Sequence, residues 1–234
     1  MGQLQELDGT AKEAQRRLYP SLTNPNWLVL RARRRIFERW ARQLPTARLA
    51  VLDVGGRIQP YRPLIADRVG AYVAIDLVRT AQVNVIGRAE SLPFADACFD
   101  LVLSTQVLQY IAEPGLVARE VARVLKPGGV FWLSVPSAYP NDAAEECWRF
   151  LPAGLRHILS PFQQVEIVAE GSSVAGFFRT ANVYLHLLAH FSVMRALLKY
   201  AIFPVTNVAG ACLEGISGGR NQQFAVNYSV LARK

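Results

Sequence analysis

From residue 49 onward the chain alternates short apolar runs with amphipathic stretches, the pattern of strands and helices taken in turn. Leu49 to Val54 is an apolar run with Asp53 near its end, which predicts a strand buried on both faces. Ala71 to Asp76 predicts a second strand ending in an acid, Val83 to Ile86 a short third, Phe99 to Ser104 a fourth and Val130 to Val135 a fifth. Pro60 to Pro63 start a short helix reaching about Val69. A helix over Pro114 to Leu125 carries proline in its first turn and is ended by Lys126, Pro127, Gly128 and Gly129. Val165, Ile167 and Ala169 alternate with polar residues in a sixth strand over Gln163 to Ala169, and Phe224 to Ala232 reads as a seventh.

Two regions depart from this alternation. Before the first strand, Leu28, Ala32, Ile36, Trp40 and Leu44 recur every fourth residue, which predicts a helix from about Asn26 to Leu44 with one buried stripe. Before the last strand, about 50 residues (about 171–222) form an insertion in which Tyr184, Leu187, Phe191, Met194, Leu198 and Ile202 share one helix face. Arg195 and Lys199 interrupt it, leaving uncharged stretches shorter than the ~18 residues that span a bilayer. A cover for the sheet, a homodimer interface and a helix lying in a membrane surface all remain open for this stripe.

Charge sharpens the picture of the first region. Of the net +8, residues 1–48 hold +6, from ten Lys/Arg against four Asp/Glu, so that segment is a basic helical unit ahead of the domain 49–234. Arg31, Arg33, Arg34, Arg35, Arg39 and Arg42 are either a solvated helix face or a surface for an anionic partner such as a membrane. Nucleic acid ranks last among such partners, because no zinc-finger, helix-turn-helix or RNA-binding signature accompanies the charge. The length suits one domain with a sizeable core, and no disorder is expected outside the first ~20 residues. Cys98, Cys147 and Cys212 have no metal-ligand or disulfide spacing, and His157, His186 and His190 lack ligand company, so no metal is expected and a cytoplasmic setting fits. The acidic, polar start is not a secretory signal, and Glu6 argues against myristoylation at Gly2.

Four segments in order carry a resemblance: VLDVGG (51–56), AIDL (74–77), AESLPFADACFDLVLS (89–104) and RVLKPGGVFWLSVP (123–136). Together they resemble the class I S-adenosylmethionine-dependent methyltransferases, of the type 11-like group. That resemblance implies an α/β fold: a Rossmann-like, seven-stranded, mostly parallel sheet with helices on both faces, here with a helical insertion before the last strand. It also implies S-adenosylmethionine as cofactor, held by Asp53, Gly55, Gly56 and Arg57 in the first turn, Asp76 and Leu77 at the ribose, Ala89 and Glu90 at the adenine, and Ser104 at the edge of the reaction centre. Three positions depart from the family pattern. Arg57 and Gln59 stand where its second and third glycines would be, and Arg88 replaces an acid that meets the adenine amino group; arginine cannot accept that bond.

The segment from Glu146 to Leu155 resembles one in methyltransferases of polysaccharide and O-antigen clusters. The resemblance implies a sugar or lipid-linked glycan acceptor, with Tyr139, Trp148 and Arg149 contacting it, Trp148 by stacking and Arg149 by its fork. The alternative for these two is structural: Trp148 packed under the sheet, and Arg149 paired with Glu145 or Glu146. A histidine common in that stretch is absent, leaving Asp142, Gln109 and Tyr110 as candidates beside the reaction centre. Function is thus expected to be O-methylation in the cytoplasm, or peripherally on the inner face of the membrane. The contrasting reading is a non-catalytic binding module on a degenerate methyltransferase fold.

Overall fold

Alternate residues of the central strands face two separate cores, and this alternation organises the molecule. The computed structural model describes the chain except Met1, Tyr139, Asn141, Asp142 and Arg220, with the side chains of residues 1–8 also undescribed. Seven strands, β1 (Leu49–Val54), β2 (Val69–Asp76), β3 (Val85–Ile86), β4 (Phe99–Thr105), β5 (Leu125–Pro136), β6 (Gln164–Ala169) and β7 (Asn227–Arg233), form one sheet. Their order is β3-β2-β1-β4-β5-β7-β6. All neighbours pair in parallel except β7, which is antiparallel to both β5 and β6.

On one face Leu52, Val54, Val102, Phe131, Leu133 and Val230 pack with Val117, Val121 and Leu155, which come from the helices α3 (Pro114–Val124) and α4 (Pro152–Ile158). On the other, Val51, Leu101, Leu103, Trp132 and Leu231 pack with Ile36, Phe37 and Trp40 of α2 (Trp27–Gln43), and with Leu18, the last residue of α1 (Gly2–Leu18). The expected buried stripe on α2 holds at Leu28, Ile36 and Trp40 and widens to Val29, Phe37 and Ala41. Aromatic contacts fasten this layer, with Phe37 edge-on to Tyr61 at 4.8 Å and Trp40 5.9 Å from Trp132.

Several expectations are corrected. Gly2–Leu18, a segment for which no element was expected, forms a helix. β5 begins at Leu125, so the Lys126–Gly129 turn lies within its span, and strand register is irregular opposite Phe99 and Leu101. The single insertion helix is two: α5 (Ser173–Leu188) stops before Ala189, and a new helix starts at Ser192. That second helix runs without interruption from α6 (Ser192–Leu197) through a π turn (Leu198–Ile202) into α7 (Phe203–Ile216), and α5 and α7 pack against each other and on α2.

Candidate active site

The strand order reverses between β1 and β4, and in open α/β sheets the crevice at the carboxyl ends of strands beside such a reversal is where ligands bind. The chain leaves β1 through Gly55, whose φ of 77° disfavours any side chain. The amides of Gly55 and Gly56 both donate to the Ile75 carbonyl (2.8 and 3.3 Å), tying the turn to β2. A Cβ on Gly55 would collide with Val107, and one on Gly56 would lie 2.8 Å from the Asp53 carbonyl oxygen and 2.9 Å from Ala74 Cβ. Gln59, at the position of the absent third glycine, is buried with a φ of 54°. Its Nε2 donates to the Gln82 carbonyl (2.8 Å) and its Oε1 accepts from Arg62 (3.0 Å), so the substitution is absorbed by the scaffold. Arg57 is exposed on the wall of the crevice.

The predicted binding residues divide in two. Asp76 ends β2 half-buried, its Oδ1 accepting from the Val78 amide at 2.9 Å. A carboxylate there suits a pair of vicinal hydroxyls. Leu77 beside it is exposed, and Ala89 is buried. Glu90, by contrast, is paired with Arg88 at 2.6 Å, which gives the odd arginine a partner outside any adenine contact.

Asp53 and Ser104 do not edge the crevice. Asp53 is buried and accepts the Tyr72 hydroxyl at 2.6 Å; burial pushes its carboxyl up to about 7, the Tyr72 bond opposes this and the Asp76 charge adds to it. It is a support beneath the turn. Ser104 is fully buried, and its hydroxyl finds no partner among the described residues.

Next to the turn lies a cavity of about 790 Å³ whose wall includes Arg57, Gln106, Gln109 and Tyr110 from the strand ends. Gln106 follows β4 with a φ of 59°, its amide donating to the Ser134 carbonyl (2.8 Å) and its side chain to Ser134 Oγ (3.0 Å). Gln109 is buried, and its Oε1 has no hydrogen-bond partner among the described residues. A buried amide oxygen in that condition costs free energy unless a ligand or water serves it. Tyr110 is more open to solvent.

The wall also carries six cations, Arg16, Arg17, Arg33, Arg179, Arg195 and Lys199, among neutral residues such as Asn24, Val29 and Asn227. Its two acids are both engaged, Glu13 with Arg17 (2.8 Å) and Glu146 with Arg149 (2.7 Å). Beneath this wall runs a buried network. Arg33 presents Nε 2.9 Å from Glu170 Oε1 and a terminal nitrogen 2.8 Å from Oε2, while Ser134 and Ser229 each donate to Oε1 at 2.7 Å. The Asn227 carboxamide, with its oxygen toward Arg33, accepts from it at 2.7 Å and from Gln106 at 3.1 Å. Burial alone would lower the Arg33 pKa, but the Glu170 carboxylate outweighs it and holds the guanidinium charged.

Trp148 and Arg149, expected on the acceptor, are not on the cavity wall. Trp148 Nε1 is tied to the carbonyls of Ile111 (2.9 Å) and Ala112 (3.1 Å), yet its ring is exposed and not packed under the sheet, while Arg149 bonds Glu146, as the structural alternative had it, and the Pro140 carbonyl (3.2 Å). Tyr139 and Asp142 lie outside the described residues. Sequence reasoning missed Glu170, Arg179 and His186 as parts of this region. No motif marks them, because they reach it only through the packing of α2 and α5.

Comparison with known proteins shows what the chain resembles. Residues 52–133 match the family model of a methyltransferase domain. Two similar curated proteins are malonyl-[acyl-carrier protein] O-methyltransferases. The one from Hahella chejuensis is 26% identical over 79% of this chain and 62% of its own length. The one from Coxiella burnetii is 27% identical over 77% and 66%. The chain thus spans somewhat less than two thirds of the curated relatives it matches. Among solved structures, the [4+2]-cyclase SpnF superposes with a TM-score of 0.55 at 20% identity, over 86% of this chain and 80% of that one. Phosphoethanolamine N-methyltransferase 2 of Haemonchus contortus, solved with S-adenosylhomocysteine, gives 0.54 at 16% identity, over 85% and 51%. The fold is that of these proteins, and the domain match supports a class I S-adenosylmethionine-dependent methyltransferase with S-adenosylmethionine as its cofactor.

Proposed function

We propose that this methyltransferase domain moves the methyl group of S-adenosylmethionine to a carboxylate oxygen of an anionic acceptor. The cofactor supplies a methyl group already activated on a sulfonium. The residues present fit it: the tight Gly55 turn lets backbone approach, and Asp76 offers an acceptor for ribose hydroxyls. Arg57 stands where its guanidinium would meet the carboxylate of the methionine part, and backbone around Ala89 would face the adenine. A cofactor held by these residues would supply its methyl group beside the cationic cavity, where alignment of the acceptor would provide much of the rate.

The observation that carries the acceptor class is the lining of that cavity, rich in arginine and lysine, with its two acids engaged by arginines. A hydroxyl acceptor would call for a base; a carboxylate acceptor is already the nucleophile and releases no proton. Arg195 and Lys199 would bind further negative charge on the acceptor, and the orphaned Gln109 oxygen would take a hydrogen bond from it. The curated relatives, named for malonyl carriers, are consistent with a carboxylate acceptor and lend no support to a sugar or glycan.

Methyl transfer from labelled S-adenosylmethionine to a panel of carboxylates and sugars, read by mass spectrometry, tests this. Carboxylates should be esterified at a rate that stays flat above their own pKa, and a rate that climbs through a separate ionisation near neutrality would indicate a base-assisted hydroxyl acceptor. A second reading, a binding module without catalysis, is favoured by Arg57, Gln59 and Arg88. Calorimetry decides it: absence of S-adenosylmethionine binding would leave that reading standing.

A further inference from the structure

The insertion leaves an apolar surface open to solvent. Along the continuous helix Ser192–Ile216, Val193, Leu197, Tyr200, Val205, Val208 and Ile216 recur at roughly helical steps on its outer side, with Val193 79%, Tyr200 67%, Val205 68% and Ile216 83% exposed. Phe177, Tyr184, Leu187 and Leu188 of α5 and Phe191 after it are also exposed, and a groove of about 480 Å³ with an almost wholly apolar lining opens between Phe177 and Ile216. Contiguous apolar surface on this scale marks an interaction site in a folded protein.

The inner side of the same helix is pinned. Leu198, Phe203 and Gly210 are buried, and Gly210 admits Leu28 and Phe178 so closely that a Cβ would lie 2.9 and 3.1 Å from them. Asn207 donates to the Leu22 (2.8 Å) and Asn24 (3.0 Å) carbonyls and accepts from Asn182 at 3.1 Å. Although 25 residues long and apolar, the helix therefore cannot be surrounded by acyl chains without stripping these contacts, and it can only lie flat. The stretch 173–216 contains Arg179, Arg195 and Lys199 against a single acid, Glu214, which accepts from the Ser172 amide at 2.6 Å. Arg195 and Lys199 are exposed on the helix itself, at the rim of the basic cavity.

We propose that this face seats shallowly on an anionic lipid bilayer, its aliphatic and aromatic side chains at the boundary between headgroups and acyl chains, with the cationic rim of the cavity at the membrane surface. Charge complementarity favours lipid over a second copy, since pairing this face with itself would bring the same cationic rims together. The seating is independent of methyl transfer.

Flotation of the full chain with phosphatidylcholine vesicles, with and without phosphatidylglycerol, at low and high salt, tests this. The protein should float with the anionic vesicles at low salt and be partly released by high salt. The double variant Val193→Asp/Val205→Asp, changed only at exposed sites, should lose binding by about tenfold or more. It should keep its circular dichroism melting and its affinity for S-adenosylmethionine. A protein that stays unbound to both vesicles at low salt overturns the proposal. So does undiminished flotation of the variant, or a lipid-free dimer in sedimentation velocity that the same variant converts to monomer.

Discussion

The two walls of the crevice are made by different means. The wall proposed for the cofactor is built at strand ends: the Gly55 turn, Asp76 and the residues after β4 all come from one continuous stretch of chain. The cationic wall is side chains from the two ends of the sequence, joined by contacts such as Arg33 to Glu170, 137 residues apart, Arg179 to Asn26, 153 apart (2.9 Å), and Asn207 to Leu22, 185 apart. Local geometry fixes the first wall. The second exists only once α1, α2 and the insertion have docked, so its stability and its shape are one property.

The sharpest way to break that contrast is to remove Glu170. Glu170→Ala leaves Arg33 charged, buried and unpaired, and should cost about 3 to 5 kcal/mol in denaturant unfolding. Arg33→Met/Glu170→Leu together should recover most of it, and a small loss in the single variant would mean the wall is not held by this pair. On the other wall, Gly55→Ala forces a φ of 77° on a residue with a Cβ that meets Val107, and should cost about 1 to 3 kcal/mol of stability together with cofactor binding. Asp76→Ala should weaken S-adenosylmethionine binding by at least ~1.5 kcal/mol in calorimetry with little change in melting.

Asp53 supplies a pH test of the cofactor wall. Its carboxyl, held at about 7 when folded against an ordinary value of 3.8, binds a proton more readily in the folded chain than in the unfolded one. Its contribution is therefore most favourable below the unfolded value and is lost as pH rises toward 7. Asp53→Asn should flatten that part of the stability profile, and an unchanged slope would assign it to other groups. The smallest effect is expected at Arg57→Gly, which should change S-adenosylmethionine affinity by less than about tenfold, a difference under ~1.4 kcal/mol. The turn is set by Gly55, Gly56 and Gln59, and a larger gain would support the reading of a degenerate site.

By itself the sequence determined the central strands and the turn that follows β1. Buried strands such as LAVLDV read as unbroken apolar runs, and a turn that needs a positive φ shows as glycine, so β1, β2, β4, α3, Gly55 and Asp76 are found from local letters. Asp53 and Ser104 were expected at the ligand from the same letters, and the structure buries both side chains. What lines the acceptor side was decided by tertiary structure alone. A charged residue in a helix looks the same in sequence whether it is solvated like Arg35 or buried on a partner like Arg33, because the difference lies in a carboxylate far along the chain. The apolar stripe of the insertion was visible too, yet only the packing of its inner side through Leu198, Phe203 and Asn207 showed which residues were left facing outward.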